Sequence, residues 1–168
     1  MISGTMPYQK FEDMMRTLEI QIRPMPKPRM TNRDRFGWRQ SPAATRYFVW
    51  KDQLTIMLKE SGHWEKIQEI CYLSCDFVIP MPKSWTRGKR AQMDGKRHSR
   101  TPDLSNLVKA LEDAVFDNDA HISHYCNVRK LWGKEGKIIL RFLDGSDQNG
   151  KIIAVSYTHL TLPTTPYV

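Results

Sequence analysis

The sequence is short of cysteine, short of acid relative to base, and without any long apolar run. Each shortage removes a class of protein. Three cysteines among 168 residues, an odd number, argue against a disulfide framework. The apolar runs are too short to cross a bilayer, so no membrane partner is expected. The first residues lack the basic, apolar and small-residue succession of an export signal, which leaves the cytoplasm as the expected compartment. Acids number 18 against 26 lysines and arginines, a net charge of +8, and such an excess favours a polyanionic partner. There is no internal repeat and no second core, so the length fits one domain, expected over 15–145.

The cysteines that are present read as packing residues. Cys71, Leu73, Cys75, Phe77 and Ile79 alternate with Tyr72, Ser74, Asp76 and Val78, the period of a strand, which directs both thiols inward. Cys126, near His124, lacks a second pair at zinc spacing, so no structural zinc is expected. Residues 1–14 show no convincing period and are expected to extend from the fold. The stretch from 146 reads as loop and then as a tail, whose segment 155–168 resembles translated sequencing-adapter sequence; it is left out of the fold reading.

Between those ends the pattern predicts four strands and two helices. A first strand is expected at Leu18–Ile22 and an extended loop after it, because Pro24, Pro26 and Pro28 suit neither a central strand nor a helix. That loop carries Arg23, Lys27, Arg29, Arg33, Arg35 and Arg39 against Asp34, with Phe36 and Trp38 interleaved. The mixture suits phosphate contact with base or sugar packing, although the two aromatics suit a core equally well. Ser41-Pro42 opens a helix, an N-cap hydroxyl followed by proline at the first helical position, and Gly62 closes it. A second strand is expected over about 67–79. Lys83, Arg87, Lys89, Arg90, Lys96, Arg97 and Arg100 then form a second basic run, expected to be flexible without a partner. A third strand over 122–132, a hairpin turn with positive-φ glycines at 133–136 and a fourth strand over 137–143 complete the order β-α-β-α-β-β. That order describes an α+β two-layer sandwich with a mixed sheet of about four strands.

The second helix is the stretch around which the chemistry gathers. Leu104, Leu107, Val108, Leu111 and Val115 share one face at about 100° per residue. Asp103, Asn106, Lys109 and Asp113 fall opposite, with Asp103 suited to cap the first turn through its carboxylate. A capped surface helix with a Lys109–Asp113 pair four residues apart needs no function. Asp119, in the turn beyond, tips the balance, since carboxylates and a lysine on a basic chain are what metal-assisted phosphodiester chemistry uses.

The segment Pro102-Asp103-Leu104-Ser105-Asn106-Leu107-Val108-Lys109, followed by Glu112-Asp113-Ala114 and Asp119-Ala120-His121-Ile122, resembles the RusA-type crossover-junction endodeoxyribonucleases. These are small dimeric enzymes of bacteria and their phages that cut four-way (Holliday) DNA junctions with Mg²⁺. Their pattern, approximately Asp-x-Asp-Asn-Leu-x-Lys, a helix and then Asp-Asp before a strand, matches Asp103, Lys109 and Asp119. It departs at Ser105, where the family has its second aspartate, and at Asn118, the first of the closing pair. The likeness runs over 18–143 and is strongest over 101–122.

The resemblance implies a RusA-like fold, a homodimer, branched DNA as partner and Mg²⁺, with Mn²⁺ as substitute, as cofactor. It implies Asp103 and Asp119 as catalytic metal ligands, with Ser105 as a neutral ligand candidate, and Lys109 as the group that steadies transition-state charge. Asp113 joins that set or orients Lys109. His98 and His121 are weighed as bases against a solvated or capping role. Two other readings use the same residues: a branched-DNA-binding protein that cuts poorly, and a non-specific Mg²⁺ nuclease.

Overall fold

Strand β1 (Met15–Ile20) alternates as expected, with Ile20 buried, but it ends two residues early, ahead of the proline-rich stretch. The computed structural model describes residues 15–36 and 40–143. The expected N-terminal extension, the tail from 146, and Trp38 and Arg39 of the first basic loop lie outside those residues. After β1 come α1 (Asn32–Phe36), α2 (Pro42–Glu60) and α3 (Trp64–Glu69). Strands β2 (Tyr72–Leu73) and β3 (Cys75–Pro80) lead to α4 (Arg87–Met93) and α5 (Leu104–Val115). A 3₁₀ turn at Asp119–His121, β4 (His124–Tyr125), β5 (Arg129–Gly133) and β6 (Lys137–Leu143) complete the described chain.

Four strands form a mixed sheet in the order β1-β6-β3-β5, with β6 antiparallel to both β1 and β3, and β5 parallel to β3. Strands β2 and β4 make a separate parallel pair. Helices α2 and α5 pack together on one face of the sheet. Tyr47, Leu54 and Leu58 of α2 and Leu107, Leu111 and Val115 of α5 meet Phe77 of β3 and Ile138 and Phe142 of β6, all essentially excluded from water. Each such side chain contributes about 1.5–3 kcal/mol of burial. The α+β sandwich with a four-stranded mixed sheet is therefore as expected. Among the described residues it carries five α-helices rather than two.

The differences have local causes. The expected second strand begins as α3, because Trp64 and Ile67 repeat at helical spacing and Ile67 is buried. The remainder breaks at Ser74, between β2 and β3, and both faces of β3 are buried; Ser74, Asp76 and Val78, which alternation would have turned outward, are all buried. Cys75 is buried as expected, whereas Cys71, ahead of β2, is half-buried. The expected third strand divides at Asn127, whose φ of 53° breaks the ladder. At the hairpin the glycines answer close approach rather than positive φ. A Cβ on Gly133 would stand 2.2 Å from Val78 Cγ1.

The second basic run is built into the fold. Helix α4 has a Thr86 cap that accepts from the Lys89 amide. Residues 95–98 then lie along the outer edge of β5, with Gly95 N–H to Trp132 C=O at 2.9 Å and Trp132 N–H to Lys96 C=O at 2.8 Å. Trp132 takes Trp85 at 4.9 Å on one ring contact and His98 at 3.9 Å on another. The expectation of a mobile arm fails because its anchors, Trp132 and the β5 edge, come from more than thirty residues downstream.

Candidate active site

Helix α5 carries the candidate centre. Its amphipathic pattern buries Leu107, Val108, Leu111 and Val115 and leaves Ser105 and Lys109 exposed. The chain reaches it through a cis Thr101–Pro102 peptide. Asp103 is the N-cap by backbone, its carbonyl accepting from the Asn106 and Leu107 amides at 3.2 Å each. Its carboxylate makes no capping bond, contrary to expectation, and stands exposed. That leaves it available to a ligand from outside.

The far end of α5 is held by its neighbours. The Thr55 hydroxyl donates to the Ala114 carbonyl at 2.8 Å. The Gln68 amide donates to the Val115 carbonyl and its oxygen accepts from Asp117 N–H at 3.1 Å. From there Asn118 accepts from Ala120 N–H at 3.0 Å and so caps the turn that Asp119 begins. An amide oxygen does this as a carboxylate would. Asp119 is exposed, and nothing is described of the His121 side chain.

Asp119 faces an acid that the sequence reading did not single out. Glu112, 8% exposed, accepts from the Tyr125 hydroxyl at 2.8 Å. Burial pushes its carboxyl above the ordinary glutamate value, and the charges of Asp119 and Asp113 add to that, against Tyr125 and Lys109. Tyr125 is raised in turn, first by its bond to Glu112. The available signal was position, since Glu112 follows Ser105 by seven residues and Lys109 by three and so shares their stripe on α5. Its fixing partner, Tyr125, comes from β4.

Asp113 does not serve Lys109 as a surface partner. It accepts from the Tyr47 hydroxyl at 2.8 Å and meets the Lys27 ammonium at 2.5 Å. Burial, then the Asp113 carboxylate, holds the Tyr47 hydroxyl far above its ordinary pKa. Lys27 also donates its backbone N–H to Asn106 C=O at 3.0 Å, which lays the proline-rich loop along α5. Trp50 Nε1–H to Arg23 C=O at 2.9 Å anchors the start of that loop. Its far end is fixed by Asp34, which accepts Ser41 N–H at 2.8 Å, Thr31 N–H at 3.0 Å and the Thr31 hydroxyl at 2.8 Å. Those bonds, from the Ser41 amide first, keep the Asp34 carboxyl well below the usual range.

The result is a cleft of about 590 Å³ between loop and helix, lined by Lys27, Pro28, Arg29, Met30, Arg35, Asn106 and Lys109. Three cations of the first basic loop thus converge on the lysine of α5. Arg33 is exposed, and Phe36 is 86% exposed, which removes the core reading for that aromatic. In the second run Lys83, Arg87, Lys89, Lys96, Arg97 and Arg100 are exposed, with Lys89 over the Trp85 ring at 4.5 Å. Arg90 differs: its guanidinium donates to the carbonyls of Pro82 at 3.2 Å and Lys83 at 2.5 Å, a clamp on its own loop. His98 is buried against the Trp132 ring, with Nδ1 accepting Arg100 N–H at 3.3 Å, so it is neither solvated nor placed as a base.

No group of three or more His, Cys, Asp or Glu among the described residues is spaced to hold a metal ion by itself. The donor chemistry nevertheless suits a hard cation. Mg²⁺ commonly takes one or two carboxylates, several waters and substrate phosphate, and Asp103 and Asp119 offer exposed carboxylate oxygens.

Exposed acids at both ends of one helix and a cationic cleft along it are the equipment that metal-assisted phosphodiester-processing enzymes use. The chain is a member of the RusA endodeoxyribonuclease family: the family model described as endodeoxyribonuclease RusA matches residues 19–142. No curated protein matches the chain as a relative.

Proposed function

We propose that this protein is a Mg²⁺-dependent endodeoxyribonuclease that resolves four-way DNA junctions by paired nicks in recombination and repair, with Mn²⁺ able to substitute. The observation that carries the reading is the convergence of Lys27, Arg29, Arg35 and Lys109 on one cleft beside the helix that Asp103 opens. The four cations would draw a DNA backbone phosphate against α5 and hold it there. Asp103 and Asp119 would hold one or two Mg²⁺ ions, with the Ser105 hydroxyl as a neutral oxygen donor. When bound, such a cation supplies Lewis acidity at the phosphoryl oxygens. Lys109 places its ammonium where negative charge grows in the transition state. Asp113 acts on the loop side: through Lys27 it sets the wall of the cleft.

A junction presents two opposed strands, and one acid set serves one phosphate at a time, so the reading carries a homodimer with it. It places the protein with DNA in the cytoplasm of a bacterium or phage-infected cell. Among the described residues no helix is long and apolar enough to cross a membrane.

The test incubates the full chain with a labelled four-way junction in Mg²⁺ and in EDTA, with linear duplex as competitor. Paired nicks that need Mg²⁺ and vanish in Asp103→Asn and Asp119→Asn are the expected outcome. Junction binding without nicks in the parent protein would instead make it a branched-DNA-binding protein. Equal cutting of linear duplex would make it a non-specific nuclease.

A further inference from the structure

We propose that Lys130 is a positioning residue for the nuclease centre, holding the backbone from which Asp103 projects; the inference rests on the nuclease reading above. Lys130 lies in β5 opposite Phe77, so its side chain leaves the sheet on the helix-bearing side. Its ammonium donates to the carbonyls of Arg100 and Pro102, each at 2.5 Å. The next residue is Asp103. The backbone of Lys130 acts on the same segment, its carbonyl accepting His98 N–H at 2.9 Å. One residue thus ties both ends of the segment 98–102 to the sheet, with the His98–Trp132 ring contact beside it.

The segment needs such a tie. Residues 99–103 belong to no strand or helix, and the Asp103 carboxylate has no capping bond to orient it. A ligand or catalytic group must be held within about 0.5 Å of its productive place by surrounding structure. Here that surrounding is the backbone just ahead of α5, and the cation that fixes it comes from the sheet. Lys130 differs in this from Lys96, Arg97 and Arg100, which are exposed. It is half-buried, and two of its three donors are spent on main-chain carbonyls, which suits a strut and not a phosphate contact.

The test compares Lys130→Met, which keeps length and loses every donor, with the parent protein. Four readouts are taken: single-turnover nicking of a four-way junction, affinity for Mn²⁺ alone by electron paramagnetic resonance, junction affinity against salt, and amide exchange over 99–104. Support of this kind is worth about 10–100-fold in metal affinity or activity. The expected result is therefore a nicking rate and an Mn²⁺ affinity that each fall by about tenfold or more, with unchanged junction affinity and salt slope. Exchange over 99–104 accelerates. Unchanged nicking, metal affinity and exchange would overturn the proposal. A weaker junction complex with a salt slope lower by about one would also overturn it, by making Lys130 a phosphate contact. Should Lys130→Met fail to fold, Lys130→Gln, which keeps one amide donor group, is read in its place. If the parent itself does not nick, the nuclease reading falls. Mn²⁺ affinity and exchange then decide alone: a shift in both keeps Lys130 as the strut of Asp103, and no shift discards it.

Discussion

Glu112 sits in a balance that one hydroxyl tips. Burial and the charges of Asp119 and Asp113 disfavour its carboxylate, while the Tyr125 hydroxyl and Lys109 favour it. Tyr125→Phe removes a donor to a nearly buried acid and leaves the ring in place. The expected cost at neutral pH is about 1 kcal/mol, which calorimetry on a domain of this size reads as a melting temperature lower by about 2–4 °C. The sign of the pH dependence follows from the raised pKa. The folded state holds the Glu112 proton more tightly than the unfolded chain does, so stability falls as pH climbs from the ordinary glutamate value of 4.5 through the folded one. Glu112→Gln should flatten the melting curve across that window and raise the melting temperature above it. A variant whose pH profile matches the parent would show that Glu112 is not the titrating group. Glu112 also marks the reach of sequence reading at this scale. Position on the helix stripe was legible, as was the exposed placement of Asp103, Lys109 and Asp119; the Tyr125 bond was not, because nothing local connects residue 112 to β4. For Asp113, weighed as orienter of Lys109, member of the metal set or surface ion pair, the bonds it makes were hidden for the same reason, since its partners Lys27 and Tyr47 lie 86 and 66 residues away in the chain.

Among the elements, the sheet is stapled by a buried acid. Asp76 of β3 accepts both Nε–H and Nη2–H of Arg129 on β5 at 2.7 Å each, and it also pairs with Arg141 of β6. Burial alone would raise its pKa, and the two guanidiniums outweigh burial and hold it below the ordinary value. Asp76→Ala would leave Arg141 without its anion in a mostly buried place, a loss of about 3 kcal/mol. The Arg129 share is smaller, because that side chain is 46% exposed and screened by water. Asp76 and Asp34 share one linkage. Their folded pKa values lie below the unfolded ones, so their contribution is complete above the unfolded value near 3.8 and is lost as pH falls through the folded values. Acid titration of the circular dichroism signal should show this loss below pH ~4, and Asp76→Asn should remove part of it. Elements fixed by local signals matched expectation: α2 behind Ser41-Pro42, α5 behind Asp103, and β6 over 137–143. Those decided by distant partners did not. The edge strip at 95–98 exists because Trp132 and β5 receive it, and a local period cannot show that.

At the scale of the whole molecule the question is how a net charge of +8 is distributed for use. Lys27 is partly neutralised by Asp113, and Arg90 is spent on its own loop. Arg29 and Arg35, by contrast, are exposed on the cleft wall beside Lys109. Each phosphate neutralised on duplex DNA steepens the salt dependence of binding by about 0.9 in log–log slope. Arg29→Ala and Arg35→Ala should therefore each flatten that slope by about one, and the double variant by about two, in junction titrations across salt. Lys27→Ala should flatten it less and also lower the melting temperature, because it leaves Asp113 without its ammonium. Rate and affinity then separate two roles. If the arginines only collect and hold backbone phosphates, single-turnover nicking at saturating protein stays at the parent rate while affinity falls. If that rate falls as well, Arg29 or Arg35 reaches the phosphate being cut, and the cleft and the acid set of α5 act as one site.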